Sequence, residues 1–302
     1  MPRPLLQNDI QRYAAEYGFS AAYCFAPAPE DHAPENVRTL ILLVRDYAPG
    51  GKLVDRFYPA GNAAYHAAKE MAAALAEAYG VEAHHLSDLR LKPMCARHPA
   101  FGTGRNTLNY LPRFGSRFCL ELIGVSSEIP PETEEAYADR RLNCAACGLC
   151  AKACPTGAIT EHGFVRERCV RYYMLSGKPM PKDMRPLIGA EDGVRAIVGC
   201  DICQRVCPAN ADAEANRTDA DDFTLNELLT CDKQTLKRFA VLYGGNYANR
   251  SRILAQAVLA AANTGDTAYL PQLKALENSP SVLVSEHARW GLQKFEEKEK
   301  KY

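Results

Sequence analysis

Eight cysteines packed into residues 143–210 constrain this chain more than any other feature. The run opens as Cys144-x2-Cys147-x2-Cys150-x3-Cys154-Pro155 and closes as Cys200-x2-Cys203-x3-Cys207-Pro208, with Cys169 alone between. The first run has the spacing in which three thiolates hold one [4Fe–4S] cube and the fourth crosses to a second cube. The second run repeats that half without its leading cysteine, which Cys169 is placed to supply. Eight thiolates match two four-iron cubes. The spacing assigns Cys144, Cys147, Cys150 and Cys207 to the first cluster, and Cys154, Cys169, Cys200 and Cys203 to the second. Two-residue gaps let a short loop wrap a cube while its N–H groups face the sulfurs. The proline after each crossing cysteine fixes φ as the chain departs. Zinc uses paired C-x2-C motifs and secreted domains use even cysteine counts for disulfides. Zinc, however, needs four ligands and gives no reason for the full C-x2-C-x2-C-x3-C-P run.

Composition supports a metalloprotein with an ordinary core. The 302 residues suggest two or three domains. Apolar content of 47% and charged content of 24% are those of a globular chain. Lysine and arginine balance aspartate and glutamate at 36 each, so no overall basic field advertises a nucleic-acid partner. No charged leader with a long apolar run opens the chain, and no apolar stretch is long enough to span a bilayer. The expectation is a cytoplasmic protein with no membrane association, whose cysteines bind metal rather than form disulfides.

Periodicity divides the chain into three expected domains: an α/β cofactor or substrate domain over 1–140, a ferredoxin-like double-cluster domain over 141–220, and a helical domain over 221–302. In the first, residues 8–17 read as an amphipathic helix. Residues 19–26 (FSAAYCFA), 37–47 (VRTLILLVRDY), 81–86 and 118–125 (FCLELIGV) read as strands, and 63–79 as an Ala-rich helix closed by Gly80. Interleaved strands and helices predict an α/β or α+β domain. Residues 130–140 and 209–222 read as polar boundaries. From Leu225 onward four helices resemble a pair of stacked hairpins. Lys233, Lys237, Arg238, Arg250 and Arg252 on them can contact phosphates, although the neutral chain favours a plain solvated face.

Two loops carry chemical promise. One is Phe101-Gly102-Thr103-Gly104-Arg105-Asn106-Thr107-Leu108, whose glycines allow close backbone approach to a ligand; the other is Arg113-Phe114-Gly115-Ser116. Either can cradle an extended cofactor, and either can be a tight turn. Of the remaining cysteines, Cys24 and Cys119 read as small core residues and Cys231 as structural. Cys95, beside Lys92, Arg97 and His98, has the electropositive setting a reactive thiol needs.

With these pieces in order, the chain resembles the epoxyqueuosine reductase family, cobalamin-dependent iron–sulfur enzymes that act on tRNA. The likeness rests on CAACGLCAKACPTGAI (144–159) and GCDICQRVCPAN (199–210), with Cys169 between. It extends to Gly104-Arg105-Asn106-Thr107-Leu108, Gly115-Ser116-Arg117-Phe118, Lys178-Pro179-Met180-Pro181 and Met184-Arg185-Pro186. Tyr65-His66 is similar to a D-Y-H element whose aspartate is Ala64 here. The resemblance implies an α+β fold with an N-terminal α/β cobalamin-type domain and a HEAT-like tail. It implies two [4Fe–4S] clusters relaying single electrons from a ferredoxin or flavodoxin to a cobalamin. A protein acid then protonates the departing epoxide oxygen, and loss of water gives the alkene of queuosine in tRNA. Arg56, Tyr65, His66, Asn106, Thr107, Arg113 and Ser116 are the implied cobalamin pocket and Asp88 the implied acid. Asp88 is otherwise an ordinary turn residue, and His66 a packing or surface histidine. The chain is shorter than family members before Gly104, and Ala209 stands where they carry tryptophan. Those departures leave open a related reductase with another substrate. Two clusters alone would also suit a non-enzymatic electron carrier.

Overall fold

Strand β2 (Thr39–Asp46) is buried for six consecutive residues, five of them apolar (Leu40 to Val44), because both of its faces are covered. A computed structural model of the chain describes residues 3–130, 144–190, 193–211, 213 and 223–299. By contacts the chain forms two compact units. One comprises Met1–Ala48, Pro59–Ala146 and Pro208–Thr218; the other comprises Pro49–Tyr58, Cys147–Cys207 and Asp219–Tyr302. All but Pro130 of the expected boundary over 130–140, and most of that over 209–222, lie outside the described residues.

In the first unit α1 (Gln7–Glu16) leads into β1 (Ala21–Phe25) and then β2. Helix α2 (Phe57–Tyr79), β3 (Ala83–His85), α3 (Leu91–Arg97), a hairpin of β4 (Gly102–Thr103) and β5 (Asn109–Tyr110), and β6 (Phe118–Val125) follow. The main sheet runs β1-β2-β6-β3 and every pair is antiparallel. The domain is therefore α+β, one of the two arrangements that its interleaved strands and helices predict. The excursion between β2 and β6 returns β6 directly alongside β2, head to tail, with Thr39 opposite Val125 and Asp46 opposite Phe118. Leu40, Leu42 and Val44 pack with Met94, Cys95, Phe101 and Leu122 on one face. Period-2 alternation sends Cys119, Glu121 and Ile123 to the other.

Helix α2 starts six residues earlier than its Ala-rich run predicts. The Asp55 side chain accepts the Phe57 N–H (2.9 Å), and Tyr58 N–H donates to the Asp55 carbonyl (3.1 Å). Pro59 then sits in the first turn, where a missing N–H costs nothing. At the other end Gly80 takes φ +64°, as a left-handed terminator does.

The second unit holds most of the cysteine motif and the C-terminal helices around one core. Short elements carry the motif: α4 (Cys144–Cys147), α5 (Leu149–Ala153), the hairpin β7 (Ile159–Thr160) and β8 (Gly163–Phe164), α6 (Val170–Ser176) and α7 (Ile202–Arg205). Five helices follow, α8 (Leu225–Thr230), α9 (Lys233–Tyr243), α10 (Arg250–Thr264), α11 (Leu270–Leu276) and α12 (Val282–Glu299), where the sequence predicts four. The first predicted helix breaks at Cys231, which is left-handed at φ +40°. Two caps make the break: Thr224 and Glu227 form a capping box on α8, and Asp232 accepts the Thr235 N–H (2.7 Å) to start α9. Helix α10 is buried on every side from Ile253 to Ala262, so it is the hub against which α8 and α12 pack.

The insert between the cysteine runs is tied to this hub. His287, fully buried, accepts the Met180 N–H at Nε2 (3.0 Å), while its Nδ1 faces the Ala255 carbonyl (3.1 Å). Buried Arg185 donates to the Met180 carbonyl (2.8 Å) and pairs with Glu286. Asn263 donates to the Arg185 and Ile188 carbonyls (2.8 and 2.7 Å).

Candidate metal centre and cofactor loops

The cysteines sort into two classes. All eight of the motif are half-buried and none forms a disulfide, whereas Cys24, Cys95, Cys119 and Cys231 are buried. The Cys200 thiol is pushed up to about 12, first by burial, with nearby Cys203, Cys169 and Asp201 adding to it. Cys169, Cys200 and Cys203 therefore share one electrostatic neighbourhood, as ligands of a common cluster do. A thiol this reluctant to ionise surrenders its proton to a bound metal. Cys154 behaves in the opposite sense. Burial opposes its ionisation, yet the Thr156 hydroxyl and the N–H groups of Thr156, Ala158 and Ile159 hold it below the usual thiol range. The Ala158 N–H reaches its Sγ at 3.3 Å. Such N–H···S bonds are what tune iron–sulfur centres, so the donor set fits the cubes. Among the described residues no three Cys, His, Asp or Glu side chains converge as a single-ion site.

A strand-like segment ahead of α2 braces the second run. Val54 bridges Val198, Asp55 N–H donates to the Val198 carbonyl (2.9 Å) and Ile197 N–H to the Leu53 carbonyl (2.8 Å). Gly199, at φ +104°, has no room for a Cβ, which would meet the Asp55 side chain and the Tyr58 ring. The backbone entering Cys200 is thereby held. Arg171, two residues past Cys169, donates Nε to the Tyr58 hydroxyl (3.2 Å) and lies 4.8 Å over the Phe57 ring. Tyr58, whose ionisation is pushed up chiefly by burial, also meets Tyr247 edge-on at 4.7 Å. Asp55, Tyr58 and Arg171 carry no motif, so only the D-x-x-Y cap ahead of α2 hinted at them. Arg56 lies in the same segment, half-buried, its N–H on the Gly50 carbonyl (3.3 Å).

The two glycine loops are tight turns closed on the protein itself. A Cβ at Gly102 would strike the Tyr110 ring, and one at Gly104 the Asn106 side chain. Asn106 is buried, and its Oδ1 accepts the Leu108 N–H (3.3 Å). Thr107 is left-handed at φ +62°, with Lys92 Nζ on its carbonyl (3.2 Å). Ser116 is buried against Asn210: its N–H donates to Asn210 Oδ1 (2.7 Å), and Asn210 Nδ2 donates back to Ser116 Oγ (3.1 Å). Arg113 is exposed, its guanidinium 5.1 Å from the Phe114 ring. Asn106 and Ser116 thus shape their loops, and Thr107 and Arg113 lie on the same two turns.

On α2, Tyr65 and His66 are exposed with rings 5.4 Å apart. Tyr65 also meets His85 at 5.0 Å, and His85 Nε2 lies 2.6 Å from Glu121 Oε2. Asp88 sits in an exposed bend beyond β3, 3.4 Å from the Ser87 hydroxyl. Cys95 departs from its expected reactivity. It is fully buried and its thiol is pushed up to about 12 by that burial, so Lys92, Arg97 and His98 do not activate it.

Residues 143–210 match the 4Fe-4S double cluster binding domain. The epoxyqueuosine reductase of Lactococcus garvieae is 29% identical over 204 residues, 65% of this chain and 55% of that protein. The Pseudomonas aeruginosa enzyme is 32% identical over 208 residues, 64% and 54% of the two chains. The solved structure of the Streptococcus thermophilus epoxyqueuosine reductase covers 96% of this chain and 90% of its own, with a TM-score of 0.78 at 19% identity. The chain is similar in sequence to the epoxyqueuosine reductases. It spans just over half the length of the two sequence relatives named. A further epoxyqueuosine reductase structure, which holds an epoxyqueuosine-modified tRNA stem loop, has a TM-score of 0.71 over 96% of the chain at 18% identity. Likeness to the epoxyqueuosine reductases thus extends beyond the double-cluster segment to the fold of nearly the whole chain. Among the described residues no helix is long and apolar enough to cross a membrane.

Proposed function

We propose that the chain is a cytoplasmic iron–sulfur, cobalamin-dependent reductase that converts epoxyqueuosine to queuosine in tRNA. The observation that carries this reading is the double-cluster motif set within a fold shared with epoxyqueuosine reductases along nearly the whole chain. The division of labour follows the three segments: 1–140 for cofactor and substrate, 141–220 for the clusters, and 221–302 as a HEAT-like support. Removing the epoxide oxygen takes two electrons and two protons, and yields an alkene and water.

Eight thiolates hold the two cubes, Cys144, Cys147, Cys150 and Cys207 on one and Cys154, Cys169, Cys200 and Cys203 on the other. Bound cobalamin would supply the strongly reducing centre the epoxide requires. Tyr65, His66, Thr107, Arg113 and Arg56 would hold it, with Asn106 and Ser116 fixing the loops that present them. Asp88, exposed and unburdened by an ion pair among the described residues, would donate the proton to the departing oxygen.

A related reductase acting on another substrate has one observation in its favour. Three basic residues of the tail are already bonded to other groups of the chain. Arg238 pairs with Glu227 (2.7 Å), Arg250 donates to the Cys231 carbonyl (2.9 Å), and Arg252 donates to the Leu175 carbonyl (2.8 Å). Of the five, Lys233, Lys237 and Arg250 are exposed, and Arg250 is already held by the Cys231 and Thr230 carbonyls.

Anaerobic reconstitution with iron, sulfide and cobalamin, followed by metal analysis and paramagnetic resonance, tests the redox assignment. About eight irons and a bound cobalamin per chain are expected; eight irons without cobalamin would leave an electron carrier. Turnover of an epoxyqueuosine-containing tRNA stem loop then separates the two substrates.

A further inference from the structure

The cluster segment differs in charge and in surface from the rest of the chain. Residues 144–207 carry nine Lys and Arg against six Asp and Glu, although the whole chain is neutral. They also expose the large apolar side chains of Leu149, Phe164 and Val206. The elements that carry these residues are neighbours in the fold. Leu149 opens α5, which packs against both α7 and β7; Val206 follows α7; Phe164 lies on β8, paired to β7. Cations border the same elements. Lys152 on α5 and Arg168 in the turn after β8 are exposed and make no ion pair among the described residues.

We infer that this face is where an acidic one-electron carrier protein docks to reduce the clusters. An apolar centre with a charged rim is the anatomy of a transient protein interface. The unspent cations select an anionic partner and speed its encounter. The position suits electron entry, because Leu149, Lys152 and Val206 each sit within two residues of a motif cysteine along the chain. A nucleic acid would use the cations but gains nothing from Leu149, Phe164 and Val206, since phosphate contacts dominate its affinity. The inference rests on the reading of the clusters as an electron relay, and adds the surface through which that relay is loaded.

Stopped-flow reduction of the reconstituted full chain by a reduced, acidic [2Fe–2S] ferredoxin tests it, with dithionite as the small-molecule control. Lys152→Glu and Arg168→Glu are expected to lower the second-order rate with ferredoxin by about tenfold at low salt and to flatten its salt dependence. Phe164→Ser should lower the rate while keeping the salt dependence, and Lys274→Glu on α11, an exposed lysine with no part in either site, should leave the ferredoxin rate unchanged. Iron content and the dithionite rate should stay at wild-type values throughout. Unchanged ferredoxin rates in variants with full iron content would overturn the docking face. So would weaker binding of a tRNA stem loop at unchanged ferredoxin rates, which would make it an RNA surface. Failure of dithionite itself to reduce wild-type clusters would instead remove the relay on which the inference stands.

Discussion

Ser116 and Asn210, 94 positions apart, exchange hydrogen bonds in a buried pair. Asn210 Oδ1 takes the Ser116 N–H at 2.7 Å, and the Arg117 guanidinium closes on the Asn210 carbonyl at 3.3 Å. Gly115 makes the approach possible, because any Cβ there would occupy the space of the Asn210 side chain and the Ala209 carbonyl. The G-S element of one motif and the C-P-A-N end of the other are thus complementary halves of one contact.

Asn210→Ala strands the buried Ser116 N–H, a loss of about 1–3 kcal/mol in stability. Gly115→Ala should cost at least as much, since it adds a left-handed backbone penalty at φ +58° to the collision. Denaturant unfolding of both variants measures this. A change in either variant below about 0.5 kcal/mol would mean that the contact is dispensable.

Cys169→Ala should remove one cube and spare the other. Iron analysis is expected to fall from about eight to about four per chain, with one paramagnetic signal retained on reduction. Retention of both clusters would show that Cys169 is not a ligand.

The four buried cysteines should resist alkylation. Burial pushes the thiols of Cys95 and Cys231 up to about 12 and about 11, and the thiolate is the nucleophile. Mass spectrometry after iodoacetamide at pH 8 should find both unmodified in the folded, cluster-loaded protein and modified after unfolding. Rapid labelling of Cys95 in the folded protein would restore it as a reactive group.

His287 gives the fold an acid-sensitive point. Burial holds its pKa down to about 4, against the usual 6.5 of an unfolded chain. Between those values the unfolded state binds the extra proton, so stability rises with pH. The contribution is complete above pH 6.5, shrinks as pH falls, and is gone below about 4; its full span is roughly 3 kcal/mol. Comparing the wild type with His287→Leu between pH 8 and 5 should show a steeper loss in the wild type. Parallel curves would place the acid sensitivity elsewhere.

If Asp88 is the proton donor, Asp88→Asn should lower turnover of the epoxide by about 100-fold or more. Iron content and the dithionite reduction rate should be unchanged. Full activity in that variant would return Asp88 to the role of a turn residue.

Covalent spacing and backbone periodicity are local, and that is why so much was legible without coordinates. The C-x2-C-x2-C-x3-C-P run named its cofactor because cube ligation depends on residues close in sequence. Residues 37–47 and 118–125 read as strands because no other element covers so short an apolar run. Gly80 ended α2 for a reason confined to its own φ. What the sequence left open depends on which distant groups meet. Nothing near Asn106 or Ser116 announces that one folds back onto its own turn and the other onto Asn210. Cys95 looked reactive from its neighbours Lys92, Arg97 and His98, but reactivity follows exposure, and packing beneath β2 removed it. Helix α2 starts ahead of Pro59 and Gly61, where Asp55 caps it, and its Ala-rich run carried no sign of that start. The antiparallel sheet, the break at Cys231 and the internal commitment of Arg238, Arg250 and Arg252 are likewise tertiary decisions. The sequence by itself determined the chemistry that this chain carries, because ligand spacing is written along the backbone. Only the tertiary structure decided which side chains are left to face a ligand, because burial and pairing are set by residues far away in the chain.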